Sequence, residues 1–204
     1  ASKANSAILH TGFDAPTGSL EARLVAAGHA GYLAIAARLN LPVIQTGALV
    51  IAWTPEEEAA LPALMDQARA NGVCDIAPLD RAALHGLEPG LGPRARAAFR
   101  VPREYIIDPW STAHAYLVQA IANGAQVRRG AGVTAGRFDG RLWHLDTAAG
   151  PLAARLVVNA AGLYGDHLDA ALGLPCAYTI RPRKGQFVVY DKPAFGLARH
   201  ILLP

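Results

Sequence analysis

Arg155-Leu156-Val157-Val158-Asn159-Ala160-Ala161-Gly162-Leu163-Tyr164-Gly165-Asp166 is the stretch that decides the fold. Leu156 to Val158 read as a buried strand, because a short β-branched apolar run suits a sheet covered on both faces. Ala160, Ala161 and Gly162 follow with almost no side chain. Asp166 is the expected N-cap of a helix through Leu168 and Leu172, and Gly173 ends it. A strand, a turn of small residues and a helix start let backbone N–H groups approach a phosphate or a flat ring closely. The early counterpart of such a turn, G-x-G-x-x-G between a strand and a helix, is absent from the sequence.

Working outward, Leu152 to Val158 is expected as the third strand of a meander. Its first two strands are Val133 to Phe138 and Leu142 to Thr147, joined at Asp139-Gly140, a hairpin dipeptide. A short strand, Gln126 to Arg129, precedes them, and Asp108-Pro109 opens a helix through Ala113, Leu117 and Ile121 that stops at Gly124. Further upstream, Ala97 to Val101 reads as a strand, and residues 75 to 95 as turns with one small helix. Thr54-Pro55-Glu56-Glu57-Glu58 combines a cap, an N1 proline and first-turn acids, so a helix runs from there to Asn71-Gly72, with Leu61, Leu64, Met65 and Ala68 on its buried face. Thr46 to Trp53 is a strand, and Ser19 caps a helix carrying Leu20, Leu24, Ala27, Ile35 and Leu39. Downstream, Tyr178 to Val189 and His200 to Leu203 read as strands around a proline-rich bend.

The 204 residues suffice for one large domain or two small ones, and with 52% hydrophobic against 17% charged residues the chain is globular rather than disordered. A net charge of +3, spread over scattered Arg and Lys, suits a small anionic molecule; nucleic acid calls for a denser basic stripe. Cys74 and Cys176 form no C-x-x-C pair, which points to a reduced, cytoplasmic setting. The longest apolar run, Val25 to Ala37, contains His29 and two glycines and is neither a membrane span nor a signal peptide.

Several patterns have a plain structural reading. Gly90-Leu91-Gly92-Pro93-Arg94-Ala95 fits G-x-G-x-x-A, but no strand precedes it and Pro93 sits inside; Gly130-Ala131-Gly132 runs into a strand. Both are read as turns. The seven histidines have no partner at ligand spacing, so no metal site is expected, and no G-x-S-x-G or G-K-[ST] loop is present. Ser2-Lys3-Ala4-Asn5-Ser6-Ala7-Ile8-Leu9-His10-Thr11-Gly12 reads either as a capping segment or as a backbone-rich cradle with His10 facing a cofactor. The basic run Arg181-Pro182-Arg183-Lys184-Gly185-Gln186-Phe187 is either a solvated face or an approach to an anion, with Gly185 allowing close backbone contact.

Ser2 to Gly12, Ile106-Ile107-Asp108-Pro109, Val157 to Gly162 and Arg183 to Phe187, in this order and spacing, resemble FAD-dependent oxidoreductases of the D-amino-acid-oxidase superfamily. Within it the chain is most similar to the branch of glycerol-3-phosphate dehydrogenases and L-2-hydroxyglutarate oxidases. The resemblance implies an α/β (α+β mixed) architecture: part of a three-layer FAD-binding fold, interleaved with a mixed-sheet substrate cap. Residues 1–40 and 109–175 fall to the cofactor fold, with Val127 as the first apolar anchor of the strand and meander; residues 41–108 and 176–204 fall to the cap. Ser2, Lys3, Asn5 and Ser6 would line the flavin and pyrophosphate, Val133 would pair its backbone with the adenine end, and Ala160, Ala161 and Gly162 would pass close to the cofactor. His10 would lie near the isoalloxazine as the catalytic base, with Arg183, Lys184 and Gln186 near the substrate. The implied reaction is hydride transfer from a small anionic hydroxy substrate to flavin.

The resemblance also carries departures. The family's strand–G-x-G-x-x-G–helix with its acidic ribose ligand, and the segment that closes over the flavin, are not in the sequence, so the chain is expected to be an internal fragment that binds FAD poorly and turns nothing over by itself. Two other readings stay open: an amine, amino-acid or 2-hydroxy-acid oxidase of the same superfamily, and a non-catalytic small-molecule-binding domain. A quinone or another acceptor would take the electrons, which is compatible with a peripheral position at the inner membrane.

Overall fold

The computed structural model describes residues 5–194 and 196–204. The described residues divide into two compact units: Val118–Val189 is one, and those up to Leu117 together with those from Tyr190 to Pro204 are the other. Ser2 and Lys3, two of the expected cofactor ligands, lie outside the described residues.

In the larger unit the elements run β1 (Ile8–Leu9), α1 (Leu20–Ala36), β2 (Val43–Ile44), β3 (Ala48–Ala52), α2 (Pro55–Ala70), β4 (Ala77–Leu79), α3 (Arg81–Leu87), β5 (Ala97–Val101) and β6 (Tyr105–Ile107). Helix α4 (Ser111–Ala122) follows and contains the boundary between the units, and β10 (Ile201–Leu203) belongs to the larger unit at the end of the chain. A mixed sheet has the order β10-β3-β5-β4, with β10 parallel to β3 and the other pairs antiparallel. All five residues of β3 are buried, because both sheet faces are covered. Ala48, Val50 and Ala52 join Phe99 and Val101 against Leu61, Met65 and Ala68 of α2, while Leu49, Ile51 and Ala98 pack on Leu84 of α3. Phe13 meets Phe99 edge-on at 6.0 Å. A second, antiparallel sheet has the order β1-β6-β2, over a cluster of Leu9, Tyr32 and Leu41.

Local chemistry sets the helix ends. Ser19 caps α1 through the Ala22 N–H at 3.0 Å. At α2, Thr54 accepts from Glu57 N and Glu57 reaches back to the Thr54 N–H, a capping box with Pro55 in the first turn. Asp108 caps the start of α4 through the Trp110 and Ser111 N–H groups.

The smaller unit is a meander of β7 (Val133–Phe138), β8 (Trp143–Thr147) and β9 (Leu152–Ala154), with α5 (Gly165–Ala171) beyond a short 3₁₀ turn at Gly162–Tyr164. Gly136 of β7 needs its missing side chain: a Cβ there would sit 2.5 Å from Leu172 Cδ2 and 2.9 Å from Leu145 Cδ2.

Several sequence expectations are corrected, among them Leu64 of α2, which is exposed rather than on the buried face. Leu156 to Val158 is not a buried strand: no strand among the described residues pairs with it, and Leu156 and Val158 are each 76% exposed. Gln126 to Arg129 and Tyr178 to Val189 likewise form no ladder, so Val127 is exposed rather than an anchor. Asp166 is not the N-cap of α5, because the 3₁₀ turn runs directly into the helix and puts Tyr164 at that position. Leu20 and Leu24 lie on the exposed side of α1, whose buried residues are His29 and Tyr32.

Candidate functional site

His10 follows β1 directly, and the loop behind it is tied down from two directions. Gln67 Nε2 of α2 donates to the carbonyls of Asp14 and Ala15 at 2.9 and 3.0 Å, and Asn71 Nδ2 donates to Gly12 and Ala15 at 2.9 and 2.7 Å. From the other side, Glu104 in the turn between β5 and β6 accepts from the Thr11 N–H and the Thr11 hydroxyl, each at 2.7 Å to Oε1. Its Oε2 lies 2.9 Å from His10 Nδ1. This contact is bent away from hydrogen-bond alignment and becomes an ion pair when the ring is protonated. Glu104 is 0% exposed, whereas the His10 side chain is 37% exposed.

Burial works to raise the Glu104 carboxyl, but the contacts from His10 and Thr11 outweigh it and hold the group below its ordinary range. His10 is raised above the ordinary 6.5, first by Glu104, with burial opposing and the Asp14 charge adding to the rise. A neighbouring histidine has a different task. His29 is buried and contacts the Arg103 carbonyl through Nε2 at 2.9 Å, which fixes the turn that carries Glu104. Arg103 itself is clamped by both carboxylate oxygens of Asp75 at 2.9 Å.

In the same unit a cavity of about 430 Å³ is lined by Asn5, Ser6 and Ile8 on one side. Tyr32, Ile107, Thr112, Ala113 and Tyr116 line it as well, so the residues after Asp108-Pro109 belong to it. Thr112 donates its hydroxyl to Tyr32 Oη at 3.1 Å. The Asn5 side chain accepts from the Ala7 N–H at 2.8 Å, and Ala7 is held at φ +60°, a left-handed conformation that an alanine rarely adopts. The Ser6 to Leu9 backbone is thus bent rather than extended where it enters β1.

The smaller unit has a cavity of about 620 Å³ lined by Gly132, Val133, Val158, Ala160, Ala161, Tyr164, His167 and Leu168. The deciding stretch therefore forms a wall, though not as the end of a strand. Asn159 holds its shape: Oδ1 accepts from the Ala161 N–H at 3.1 Å, while Nδ2 donates to the Gly165 carbonyl at 2.8 Å and to Asp169 Oδ1 at 2.7 Å. Asp169 Oδ2 accepts from the Tyr178 hydroxyl at 2.7 Å, and this bond pushes the Tyr178 phenol up to about 12. Gly162, at φ +59°, starts the 3₁₀ turn.

Of the sequence-derived residues, the structure brings Asn5 and Ser6 to one cavity and Val133, Ala160 and Ala161 to the other. Gly162 lies next to the second. Arg183, Lys184 and Gln186 sit on an exposed irregular run and line neither cavity. Sequence reasoning missed Glu104, Tyr32 and Asn159. Among the described residues no group of His, Cys, Asp and Glu is placed to hold a metal ion, and no helix is long and apolar enough to cross a membrane.

Comparison with known proteins gives this geometry a family. Over 200 residues the chain is 28% identical to a glycerol 3-phosphate dehydrogenase of Caloramator mitchellensis, covering 98% of this chain and 42% of that protein. It is 25% identical to an L-2-hydroxyglutarate dehydrogenase of Indibacter alkaliphilus, covering 98% and 50%. The chain thus spans about half the length of the curated relatives it matches. Among solved structures, glycine oxidase from Geobacillus kaustophilus superposes with a TM-score of 0.78 at 26% identity, covering 86% of this chain and 49% of that one. An FAD-bound L-α-glycerophosphate oxidase from Mycoplasma pneumoniae shares the fold with a TM-score of 0.77 at 24% identity, over 84% and 47%. The family model described as DAO, FAD dependent oxidoreductase, matches residues 1–204. The chain therefore belongs to the DAO family of FAD-dependent oxidoreductases.

Proposed function

We propose that the protein carrying this chain is an FAD-dependent oxidoreductase that removes hydride from a small anionic hydroxy substrate, with His10 taking the hydroxyl proton. The observation that carries this reading is His10 itself: an imidazole on a doubly anchored loop, with one nitrogen buried against Glu104 and the rest of the ring open. That is the arrangement a general base requires.

The linings of the two cavities fit the cofactor in their chemistry. Asn5, Ser6 and Thr112 offer polar atoms beside the tyrosine rings of Tyr32 and Tyr116, which suits a flat heteroaromatic ring. Val133, Ala160 and Ala161 present backbone and small side chains, which suits close approach of a nucleotide. We assign Asn5 and Ser6, together with Ser2 and Lys3, to the flavin and pyrophosphate, Val133 to the adenine end, and Ala160, Ala161 and Gly162 to close approach of the cofactor. When bound, FAD supplies the two-electron acceptor. Arg183, Lys184 and Gln186 are assigned to the substrate anion. Residues 1–40 and 109–175 are assigned to the cofactor fold and residues 41–108 and 176–204 to the cap. This division is supported by the mixed sheet, whose strands β3, β4, β5 and β10 all fall in the cap ranges. We place the protein in the cytoplasm with a quinone or similar acceptor at the membrane face.

The relatives' names favour glycerol 3-phosphate or a 2-hydroxy acid as the substrate; the likeness to glycine oxidase keeps an amino acid as the second reading. The test is flavin bleaching under anaerobic conditions, with the protein expressed at the full length of its reading frame. Glycerol 3-phosphate, L-2-hydroxyglutarate and glycine are supplied in turn. Bleaching by either hydroxy substrate is expected, and His10→Asn should slow it by about 10²–10⁴-fold. Bleaching by glycine alone would replace the hydroxy-substrate reading, and a protein without flavin absorbance would refute both.

A further inference from the structure

The Glu104 carboxylate is the most deeply buried charged group in contact with the candidate base, and its two oxygens are divided in use. Oε1 takes both Thr11 donors, while Oε2 is left to His10 Nδ1 alone. Both Nδ1 and Oε2 are sealed from solvent, and neither has another partner among the described residues. A sealed carboxylate oxygen 2.9 Å from a sealed ring nitrogen leaves one arrangement of protons that costs little: a hydrogen on Nδ1, the side of the ring that Oε2 faces. The alternative tautomer would set two lone pairs against each other at atoms that solvent does not reach. The open part of the half-exposed ring is then its other edge, which carries Nε2 and no partner among the described residues.

We propose that Glu104 is the positioning residue of this site, holding His10 as the Nδ1–H tautomer so that Nε2 is the free acceptor of the substrate's hydroxyl proton. The inference rests on the reading of His10 as the base. As the hydroxyl O–H proton passes to Nε2, the ring becomes an imidazolium whose second N–H stays on Glu104; the carboxylate keeps its charge and stabilises the cation. The C–H hydrogen would leave with the bond's electron pair, as hydride, for which bound FAD would be the acceptor. The carboxylates acting on the ring are Glu104 and, farther off, Asp14, and both favour the protonated ring. Basicity is thus gained at the atom that meets the substrate, although Glu104 never touches the substrate. The backbone adds its own constraint, because the Thr11 N–H on Oε1 prevents the carboxylate from rotating away.

Glu104→Gln is the informative variant. The Gln oxygen can still accept from Thr11, so the loop keeps its anchor, but the amide N–H₂ now faces Nδ1. Nδ1 must become an acceptor, and the proton moves to Nε2. Histidine ¹⁵N spectra of the protein, expressed at the full length of its reading frame and recorded at alkaline pH, are expected to show His10 as Nδ1–H in the parent and Nε2–H in Glu104→Gln. In kcat/KM the base must be neutral to act, so activity rises with pH through the His10 titration. That limb should lie above 6.5 in the parent and move down in the variant, which loses the Glu104 charge, with kcat reduced about 10²–10⁴-fold and KM little changed. Glu104→Asp, which keeps the charge, should recover part of kcat and the raised limb. An unchanged tautomer and limb in Glu104→Gln, with His10→Asn inactive, would overturn the role of Glu104 alone. A parent-like rate in His10→Asn would overturn the base reading, and the catalytic role of Glu104 with it.

Discussion

Replacing Glu88 with alanine should detach the last strand of the mixed sheet. Glu88 is 1% exposed and closes α3, its N–H donating to the Leu84 carbonyl at 2.9 Å. Its Oε1 accepts from the Arg199 N–H at 2.8 Å and the His200 N–H at 2.7 Å, and it lies 2.7 Å from His200 Nδ1. One carboxylate thus gathers the residues that lead into β10, a strand of three residues with a single neighbour, β3. Such a short edge strand gains little from its own ladder, so its docking depends on this anchor. Hydrogen bonds to a charged acceptor contribute roughly 1.5–3 kcal/mol each, and three on one atom do not add fully. Removing the acceptor leaves the Arg199 and His200 N–H groups without a partner at about 1–3 kcal/mol each, so about 3–5 kcal/mol is the expected loss for Glu88→Ala. Glu88→Gln keeps an oxygen for the two backbone donors and loses the charge, so about 1–2 kcal/mol is expected.

Urea unfolding gives the total, and amide exchange at Ile201 and Leu203, whose N–H groups face β3, locates it. In Glu88→Ala these two amides should lose protection before Ala98 and Phe99 in the centre of the sheet. A Glu88→Ala variant destabilised by less than about 1 kcal/mol, or one equal to Glu88→Gln, would refute the argument, because the carboxylate would then be dispensable. Equal loss of protection across the whole sheet would refute the local mechanism.

The Tyr178 phenol should titrate near 12, and Asp169→Asn should bring it back toward 10. Its folded value is raised, so the stabilisation from this bond is complete below about pH 10 and is lost as pH rises through about 12; ultraviolet difference spectra check both values. At Gly136, alanine must displace two buried leucine methyl groups, so Gly136→Ala should cost about 1–3 kcal/mol in thermal unfolding of the meander unit. A neutral result would mean that Leu145 and Leu172 repack freely.

The legible parts of this fold are those in which a few adjacent residues complete a physical unit. Thr54 to Glu58 satisfies its own orphan N–H groups through Glu57 and Thr54, so α2 begins where the sequence says it does. The Asp139-Gly140 turn is equally self-contained: Asp139 accepts from the Arg141 and Leu142 N–H groups, and Gly140 takes φ +96°. Leu156 to Val158 and Tyr178 to Val189 have strand composition but no such closure. A strand is completed only by a ladder partner, and none of the described strands runs beside them. Apolar periodicity in α1 failed for a related reason. The helix is apolar on more than one side, and the cluster beneath it selects Tyr32 and Ile35 over Leu20 and Leu24.

The candidate base was legible and its partner was not, and the difference is one of distance along the chain. His10 stands in a segment whose residue types are unusual by themselves. Glu104 stands in Arg103-Glu104-Tyr105, where a glutamate between two charged or polar neighbours reads as a solvated turn residue. Its burial results from a contact across 93 positions, made only when β1 and β6 pair through Ile8 with Ile106 and Leu9 with Tyr105. That register puts the residue after Leu9 opposite the residue before Tyr105, so pairing two strands that face the Leu9–Tyr32 core also closes the His10–Glu104 contact. Seating His10 beside a buried charge is therefore a consequence of register. A one-residue slip between β1 and β6 would turn Leu9 out of its cluster and separate the imidazole from the carboxylate in the same movement. The apolar packing that specifies the small sheet thus also specifies the electrostatics of the site.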